Sequence, residues 1–269
     1  MMKFCLFFLL FNTQICAAQE WLAETMVGVS AYNGDLTQSS FSFKRLGPAA
    51  MINIKYNSNS FWGVRAGIGY GRISGDDKKN KDEGLQSRNL SFKSHIIEFN
   101  ICGELAIVDP ELYYSYPYIF GGVGVFHFNP YTTDNDNKKT YLRPLSTEGQ
   151  GLEAYPNRKP YSLFQFSMPF GAGWKVKLKD RFELSYEFGY RLLFTDYLDD
   201  VSSTYVSLEK LTAAKGAKAA ELSYRKRTAF MEEGEARGNS KVRDLYFFTG
   251  FKIATYIGKK RKELKANND

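Results

Sequence analysis

Arg181-Phe182-Glu183-Leu184-Ser185-Tyr186-Glu187-Phe188-Gly189-Tyr190-Arg191-Leu192 alternates without a break. Phe182, Leu184, Tyr186, Phe188, Tyr190 and Leu192 fall on one face, and Arg181, Glu183, Ser185, Glu187, Gly189 and Arg191 fall on the other. A repeat of two is the repeat of a β-strand, whose successive side chains point to opposite sides. In a soluble sheet the charged side would meet water and the apolar side a core. Here the pattern recurs along the chain behind an N-terminal stretch that reads as an export signal. That combination points to a barrel whose apolar side meets lipid and whose polar side faces inward.

Eight segments carry the pattern: 21–32, 49–56, 61–73, 90–107, 116–128, 161–178, 181–192 and 242–256. In the third, Trp62, Val64, Ala66, Ile68 and Tyr70 oppose Gly63, Arg65, Gly67, Gly69 and Gly71. In the fourth, Ile97, Phe99, Ile101 and Leu105 oppose Glu98, Asn100 and Glu104. The fifth has no readable facing, because both of its sides are apolar or glycine. The connections alternate in length. Residues 57–60, the turn around Asp109-Pro110-Glu111 and Lys179-Asp180 are short, whereas 33–48, 75–89, 130–160 and 195–241 are long. Outer-membrane barrels place short turns in the periplasm and long loops outside, so both chain ends are expected in the periplasm. Eight strands leave an interior that side chains fill, and inward Arg65, Glu98, Glu104, Glu183, Glu187 and Arg191 can neutralise one another there.

The expected fold is therefore all-β: an eight-stranded antiparallel transmembrane β-barrel with long extracellular loops. One loop, at 207–229, is rich in Ala, Lys, Glu and Leu and reads as a helix, with a partial stripe of Leu208, Leu211 and Leu222 for capping the barrel or meeting a partner. The domain reading is 1–18 signal peptide, 19–258 barrel and 259–269 basic periplasmic tail. The signal rests on Lys3, the apolar run 4–11 and the ending Cys16-Ala17-Ala18; its apolar run is too short to cross a bilayer as a helix. Thr13-Gln14-Ile15 before Cys16 lacks the usual residues of a lipobox, which favours plain cleavage. Once Cys5 and Cys16 leave with the signal, Cys102 stands alone, so neither an intramolecular disulfide nor a cysteine metal cluster can form.

The formal net charge is +7, with 36 Lys and Arg against 29 Asp and Glu. Removing Lys3 leaves 35 minus 29, or +6. The basic residues are scattered among acids except in Lys259-Lys260-Arg261-Lys262, which argues against nucleic acid as a partner. The 18 Tyr, 22 Phe and 23 Gly against 8 Pro suit membrane strands with aromatic girdles. Outer-membrane lipid is the expected surrounding partner and the outer membrane the expected location.

Candidate chemistry is sparse. His95 and His127 lie on different strands without metal-ligand spacing. Gly121-Gly122-Val123-Gly124 does not open a helix after a parallel strand, so it reads as strand packing rather than a phosphate loop. Asp196, Asp199 and Asp200 have oxygen ligands at a spacing that calcium could use, but lack the glycine of an EF-hand turn. With Glu148 and Gln150 they belong to one rim, where they are expected to form a polar network ordering the outer mouth. For hydrolysis, His127 with Ser146 or Ser167 are the available groups, and nothing in the sequence brings them together. No catalytic residue, metal or cofactor is expected, and the chain reads as non-enzymatic.

Six segments stand in order along the chain: Tyr32-Asn33-Gly34-Asp35-Leu36, Arg88-Asn89-Leu90-Ser91-Phe92, Phe120-Gly121-Gly122-Val123-Gly124-Val125-Phe126-His127-Phe128-Asn129-Pro130, Thr147-Glu148-Gly149-Gln150-Gly151, Pro169-Phe170-Gly171 and Phe194-Thr195-Asp196-Tyr197-Leu198-Asp199-Asp200-Val201-Ser202. Together they resemble the PorG-like outer-membrane barrel family, which includes a component of the type IX secretion system. The resemblance implies a non-enzymatic barrel associated with protein secretion and contacting a periplasmic ring. The alternative function is a surface ligand-binding or adhesive barrel unrelated to secretion. The run Lys259, Lys260, Arg261 and Lys262 departs from an ending flush with the last strand and is the candidate arm toward an acidic periplasmic partner.

Overall fold

The computed structural model describes residues 20–37, 45–178, 181–226, 232–241 and 243–257. The expected signal at 1–18, the tail at 259–269 and the turn Lys179-Asp180 lie outside them. Eight long strands make the wall: β1 (Glu20–Asn33), β2 (Gly47–Asn57), β3 (Trp62–Asp76), β4 (Ser91–Ala106), β5 (Ser115–His127), β8 (Phe164–Leu178), β9 (Phe182–Leu193) and β10 (Leu245–Ile257). Each pairs antiparallel with its neighbour in chain order, and β1 pairs β10, with Trp21 opposite Ile257 and Asn33 opposite Leu245. This last pairing closes the sheet into an up-and-down barrel with no open edge, the condition for strands to cross lipid.

The outward face is apolar where water could not be tolerated. Val27 and Phe166 are each 67% exposed, Phe251 63%, and Ile52, Ile68, Ile97, Phe99 and Met168 are exposed beside them. A monomer in water does not display so continuous an apolar belt. Its lower margin carries Trp21 against Tyr56, ring centroids 5.0 Å apart, together with Trp62 and Trp174. Its upper margin carries Tyr70, Phe164 and Phe194. These are the two aromatic girdles of an outer-membrane barrel, and the protein is placed in the outer membrane accordingly. No helix among the described residues is long and apolar enough to cross a membrane, a test that says nothing of strands.

The inward face holds charge in balance. Glu24, Glu98, Glu104, Glu183 and Glu187 are buried in the lumen with Lys55, Arg65, Lys175, Arg191 and Lys252, five acids against five bases. In the periplasmic half, Glu187 takes Arg65 at 2.5 and 2.8 Å, Lys252 at 2.9 Å and the Tyr118 hydroxyl at 2.8 Å. Glu104 takes Lys55 and, at 2.6 Å, Lys175. Nearer the loops, Arg191 lies 3.2 Å from Glu98, which also accepts from the Tyr246 hydroxyl. Unpaired, any one of these ions would cost several kcal/mol in so dry a place; paired, they fill the bore.

The structure settles the facing of β5 that alternation left open. Tyr116, Tyr118, Phe120 and Phe126 point in, while Ile119, Val123 and Val125 meet lipid. These rings occupy the space left by glycine on the facing strands: a Cβ on Gly173 would stand 2.5 Å from Tyr118, and one on Gly189 2.6 Å from Phe120. Arg65 and Arg191 lie over Phe120 and Phe248, at 4.3 and 4.4 Å from the ring centroids. Arg181, expected to face inward, is instead exposed at the periplasmic end, one residue before β9 begins.

Two elements depart from the expected pattern. A short hairpin, β6 (Tyr131–Thr133) and β7 (Lys139–Tyr141), extends the wall beyond β4 at the loop end. The helix expected over 207–229 is two helices, α2 (Leu208–Lys215) and α3 (Ala217–Ser223). Gly216 separates them at φ +86°, a conformation that breaks the helix and that glycine alone adopts without strain. Residues 224–226 are not helical, and 227–229 lie outside the described residues. Of the leucine stripe, Leu211 and Leu222 are buried, and Leu222 packs with the cluster of Phe126, Phe128, Leu198, Val201 and Tyr246 that roofs the lumen. A further helix, α1 (Glu83–Arg88), is capped by Asp82, whose carboxylate accepts from the Leu85 amide.

Candidate functional site

Above the roof, the four long loops are tied by buried polar side chains into one cap. Its centre is Glu148, carried on a tight turn in which Gly149 and Gly151 both have φ near +77°. One carboxylate oxygen accepts from the Ser202 amide at 3.0 Å and from Arg237 at 2.9 Å. The other accepts from the Ser203 amide at 3.0 Å, the Ser203 hydroxyl at 2.6 Å and the Tyr197 hydroxyl at 3.2 Å. Gln150 accepts from the Glu148 amide and so fixes the turn that aims the carboxylate. Arg158 donates to the carbonyls of Glu148 and Thr204.

Asp200, in the left-handed region at φ 68°, accepts from Thr147 and, at 2.7 Å, from Tyr161. Its carbonyl accepts from Arg237 at 2.6 Å. Arg237 therefore bridges Glu148 and Asp200. Arg88 extends the tie to the first two loops, donating to the carbonyls of Arg237 and Asp35 while forking onto Asp77 at 2.7 and 2.8 Å.

The five rim residues expected to form one network are divided in the structure. Glu148 and Asp200 share the Arg237 hub, and Gln150 supports it only through the Glu148 amide. Asp199 turns the other way, toward Tyr32 and the Val201 amide, beside Asp244, which accepts from the Leu198 amide. Asp196 stands apart from both groups, half-buried, with the Ser202 side chain beside its carboxylate. Burial pushes Asp200 up to about 6, although Arg237 pulls it back, and Asp196 up to about 7. Asp199 and Asp244 are raised well above the carboxylate range by burial, and Asp244 further by Asp199.

The divergence of Asp199 and Asp200 bears on the calcium arrangement that their spacing suggested: among the described residues no group of acids or histidines is placed to hold a metal ion. The hydrolytic set is also not assembled. His127 faces outward against Phe164, with ring centroids 4.8 Å apart, Ser167 is buried on the inward side of β8, and Ser146 is buried in the cap. His95 stands on the outer wall between Tyr70 and Tyr131. The candidate arm Lys259, Lys260, Arg261 and Lys262 lies outside the described residues.

Sequence reasoning missed Arg237 and Arg158, the cations that organise the cap, because each stands alone in a polar loop. It also missed Asp244 and Asp77. The turn cluster Asp134-Asn135-Asp136-Asn137-Lys138 was a readable signal for the β6–β7 hairpin; Asp134 accepts there from the amides of Asp136 and Lys138.

A family model described as a domain of unknown function, DUF6089, matches residues 1–215. No curated protein matches the chain. Among solved structures it is similar to the N-terminal β-barrel domain of Pseudomonas aeruginosa OprF, at 9% identity and TM-score 0.38, covering 88% of this chain and 97% of that one. It is similar to Ail, the attachment invasion locus protein of Yersinia pestis, solved with a heparin analogue, at 11% identity and TM-score 0.41, covering 89% and 98%. It is also similar to a major outer membrane protein of Thermus thermophilus, at 11% identity and TM-score 0.45, covering 89% and 100%.

Proposed function

We propose that this chain, which belongs to the DUF6089 family, is a non-enzymatic outer-membrane component of the type IX protein secretion machinery that associates with its periplasmic ring. The observation that carries the non-enzymatic, non-channel part is the sealed bore. Five acids and five bases neutralise one another in the lumen, an apolar roof lies above them, and the Glu148 carboxylate in the cap is saturated by five donors. Charge pairing through the bore beneath that roof, seen among the described residues, suits a membrane anchor better than an open channel. The secretion part is supported by the ordered resemblance of the rim and strand motifs to PorG-like barrels. Ring contact would fall on the periplasmic side, at the short turns or the basic run 259–262.

The test is purification of the tagged chain from outer membranes of its own host, solubilised in mild detergent after crosslinking. Recovery of periplasmic ring proteins, with loss of cargo export on deletion, is the expected result. Recovery of no ring protein, with export intact, overturns the proposal. The second reading, a surface ligand-binding or adhesive barrel, is favoured by the amount of ordered, cross-tied chain on the extracellular side. It predicts loss of adhesion or ligand binding on deletion, with export unaffected.

A further inference from the structure

One sector of the outer wall breaks the apolar rule. On β3, β4 and the β6–β7 hairpin, just above the lipid belt, the outward positions are Arg72, Lys93, His95 and Lys139, all exposed. Arg72 stands opposite His95, and Lys93 opposite both Ser74 and Tyr131. Arg72 and Lys93 are therefore diagonal neighbours on the outer face of β3 and β4, within reach of long side chains, and Lys139 lies over the Tyr131 ring that stands opposite Lys93. The last outward apolar residue of β4 below them is Ile97. His95 and Lys93 lie two and four residues further on, about 5–11 Å higher along the membrane normal once strand tilt is allowed for. That is the depth of lipid headgroups rather than of hydrocarbon.

The patch is built as well as charged. His95 is held between two tyrosines, stacked on Tyr70 and Tyr131 with centroids 5.9 Å away in each case and hydrogen-bonded to the Tyr70 hydroxyl at 2.7 Å. Lys139 lies over the rings of Tyr131 and Tyr141, at 4.0 and 4.7 Å from their centroids. Among the described residues, none of Arg72, Lys93 and Lys139 has an acid at ion-pair distance. The acids closest in sequence are engaged elsewhere: Asp76 caps the turn after β3, and Asp134 and Asp136 bind Lys218.

Unneutralised cations facing outward at headgroup depth, flanked by tyrosine rings and hydroxyls, complement a phosphorylated sugar. We propose that this sector is a binding site for the phosphorylated headgroup of an outer-leaflet glycolipid of the lipid A type. Arg72, Lys93 and Lys139 would take the phosphates, and the Tyr70–His95–Tyr131–Tyr141 row would take the sugar faces. The site fixes one side of the barrel against the outer leaflet and is independent of any secretion role.

The experiment uses the full chain purified in mild detergent and folded, as judged by heat-modified gel migration. Native mass spectrometry compares retention of bisphosphorylated lipid A, of the same lipid with both phosphates removed, and of inorganic phosphate. The expected result is selective retention of the bisphosphorylated lipid. It weakens about fivefold for each charge removed and on the order of a hundredfold in Arg72→Gln/Lys93→Gln/Lys139→Gln. Added salt weakens it, and Lys215→Gln on α2 leaves it unchanged. If the triple variant does not fold, Lys139→Gln alone carries the test, with the fivefold loss expected. Equal retention of both lipids, or retention unchanged in the folded variants, overturns the proposal. Displacement of the lipid by inorganic phosphate at equal concentration assigns the site to free anions and overturns the lipid assignment.

Discussion

Glu187→Gln is the perturbation that reads the luminal charge balance most cleanly. The wild-type carboxylate holds Arg65 by two hydrogen bonds of 2.5 and 2.8 Å, Lys252 by one of 2.9 Å and the Tyr118 hydroxyl by one of 2.8 Å, all buried. The amide keeps the shape but takes the luminal sum from zero to +1 and turns an NH2 group toward two cations. Breaking a buried pair costs about 3–5 kcal/mol because the partner charge stays behind without compensation. With two partners left, the upper half of that range is expected. Exposed pairs set the contrast: Lys210–Glu233 spans 3.3 Å with both side chains about half exposed and screened by water, and its loss should leave the titration midpoint almost unmoved. Adding Lys252→Met to Glu187→Gln restores neutrality and should recover about 1–3 kcal/mol. Guanidinium titration of the chain folded in lipid vesicles, followed by tryptophan fluorescence, measures all four species. A loss below about 1 kcal/mol for Glu187→Gln, or a double variant showing both single losses in full, would refute the view that paired charge fills the bore.

The lipid face is tested by Phe251→Arg: at the middle of β10 and 63% exposed, it should lose about 2–4 kcal/mol in vesicles, whereas Arg181→Gln in the periplasmic turn should stay within about 0.5 kcal/mol; equal effects would reverse the facing. In the cap, Glu148→Ala removes the carboxylate that Arg237 bonds at 2.9 Å and Asp200→Ala removes the carboxylate 3.9 Å from the same guanidinium while leaving the Asp200 carbonyl in place, so together they should cost about 0.5–3 kcal/mol less than the sum of their single losses, and strict additivity would separate the two motifs. The cap should also respond to pH. Asp200, at about 6, and Asp196, at about 7, are raised above the solvated value of about 3.9, and Asp199 and Asp244 are raised with them. The closed cap therefore binds more protons than the opened one between about pH 4 and 7, so its stability is greatest below that window and falls as pH rises through it. Hydrogen exchange at the Leu198 and Val201 amides, corrected for intrinsic rates, should show easier opening at pH 8 than at pH 5; the reverse order would contradict the assignment.

The wall was legible because most strands separate their two sides chemically. Glu183, Glu187 and Arg191 against Phe182, Tyr186 and Leu192 leave one facing possible, and the structure adopts it. Residues 115–127 were not legible, since the lumen there takes Tyr118, Phe120 and Phe126 while lipid takes Ile119 and Val123; when both environments accept apolar groups, alternation carries no sign. The bases that complete the luminal balance were only partly visible, because Lys175 and Lys252 gain their meaning from acids on other strands. The cap was legible as a set of acids but not as a network. Its geometry depends on Arg88, Arg158 and Arg237 reaching carbonyls many residues away, and such contacts leave no local pattern. The break at Gly216 outweighed the helix-forming composition around it, as one residue with positive φ will.

Conductance tests the sealed barrel most directly. The purified full chain, inserted in planar bilayers at neutral pH, should give no steady single-channel current, because paired side chains fill the bore and the cross-tied loops cover it. Reproducible single-channel steps of constant size from the wild-type protein would contradict the account.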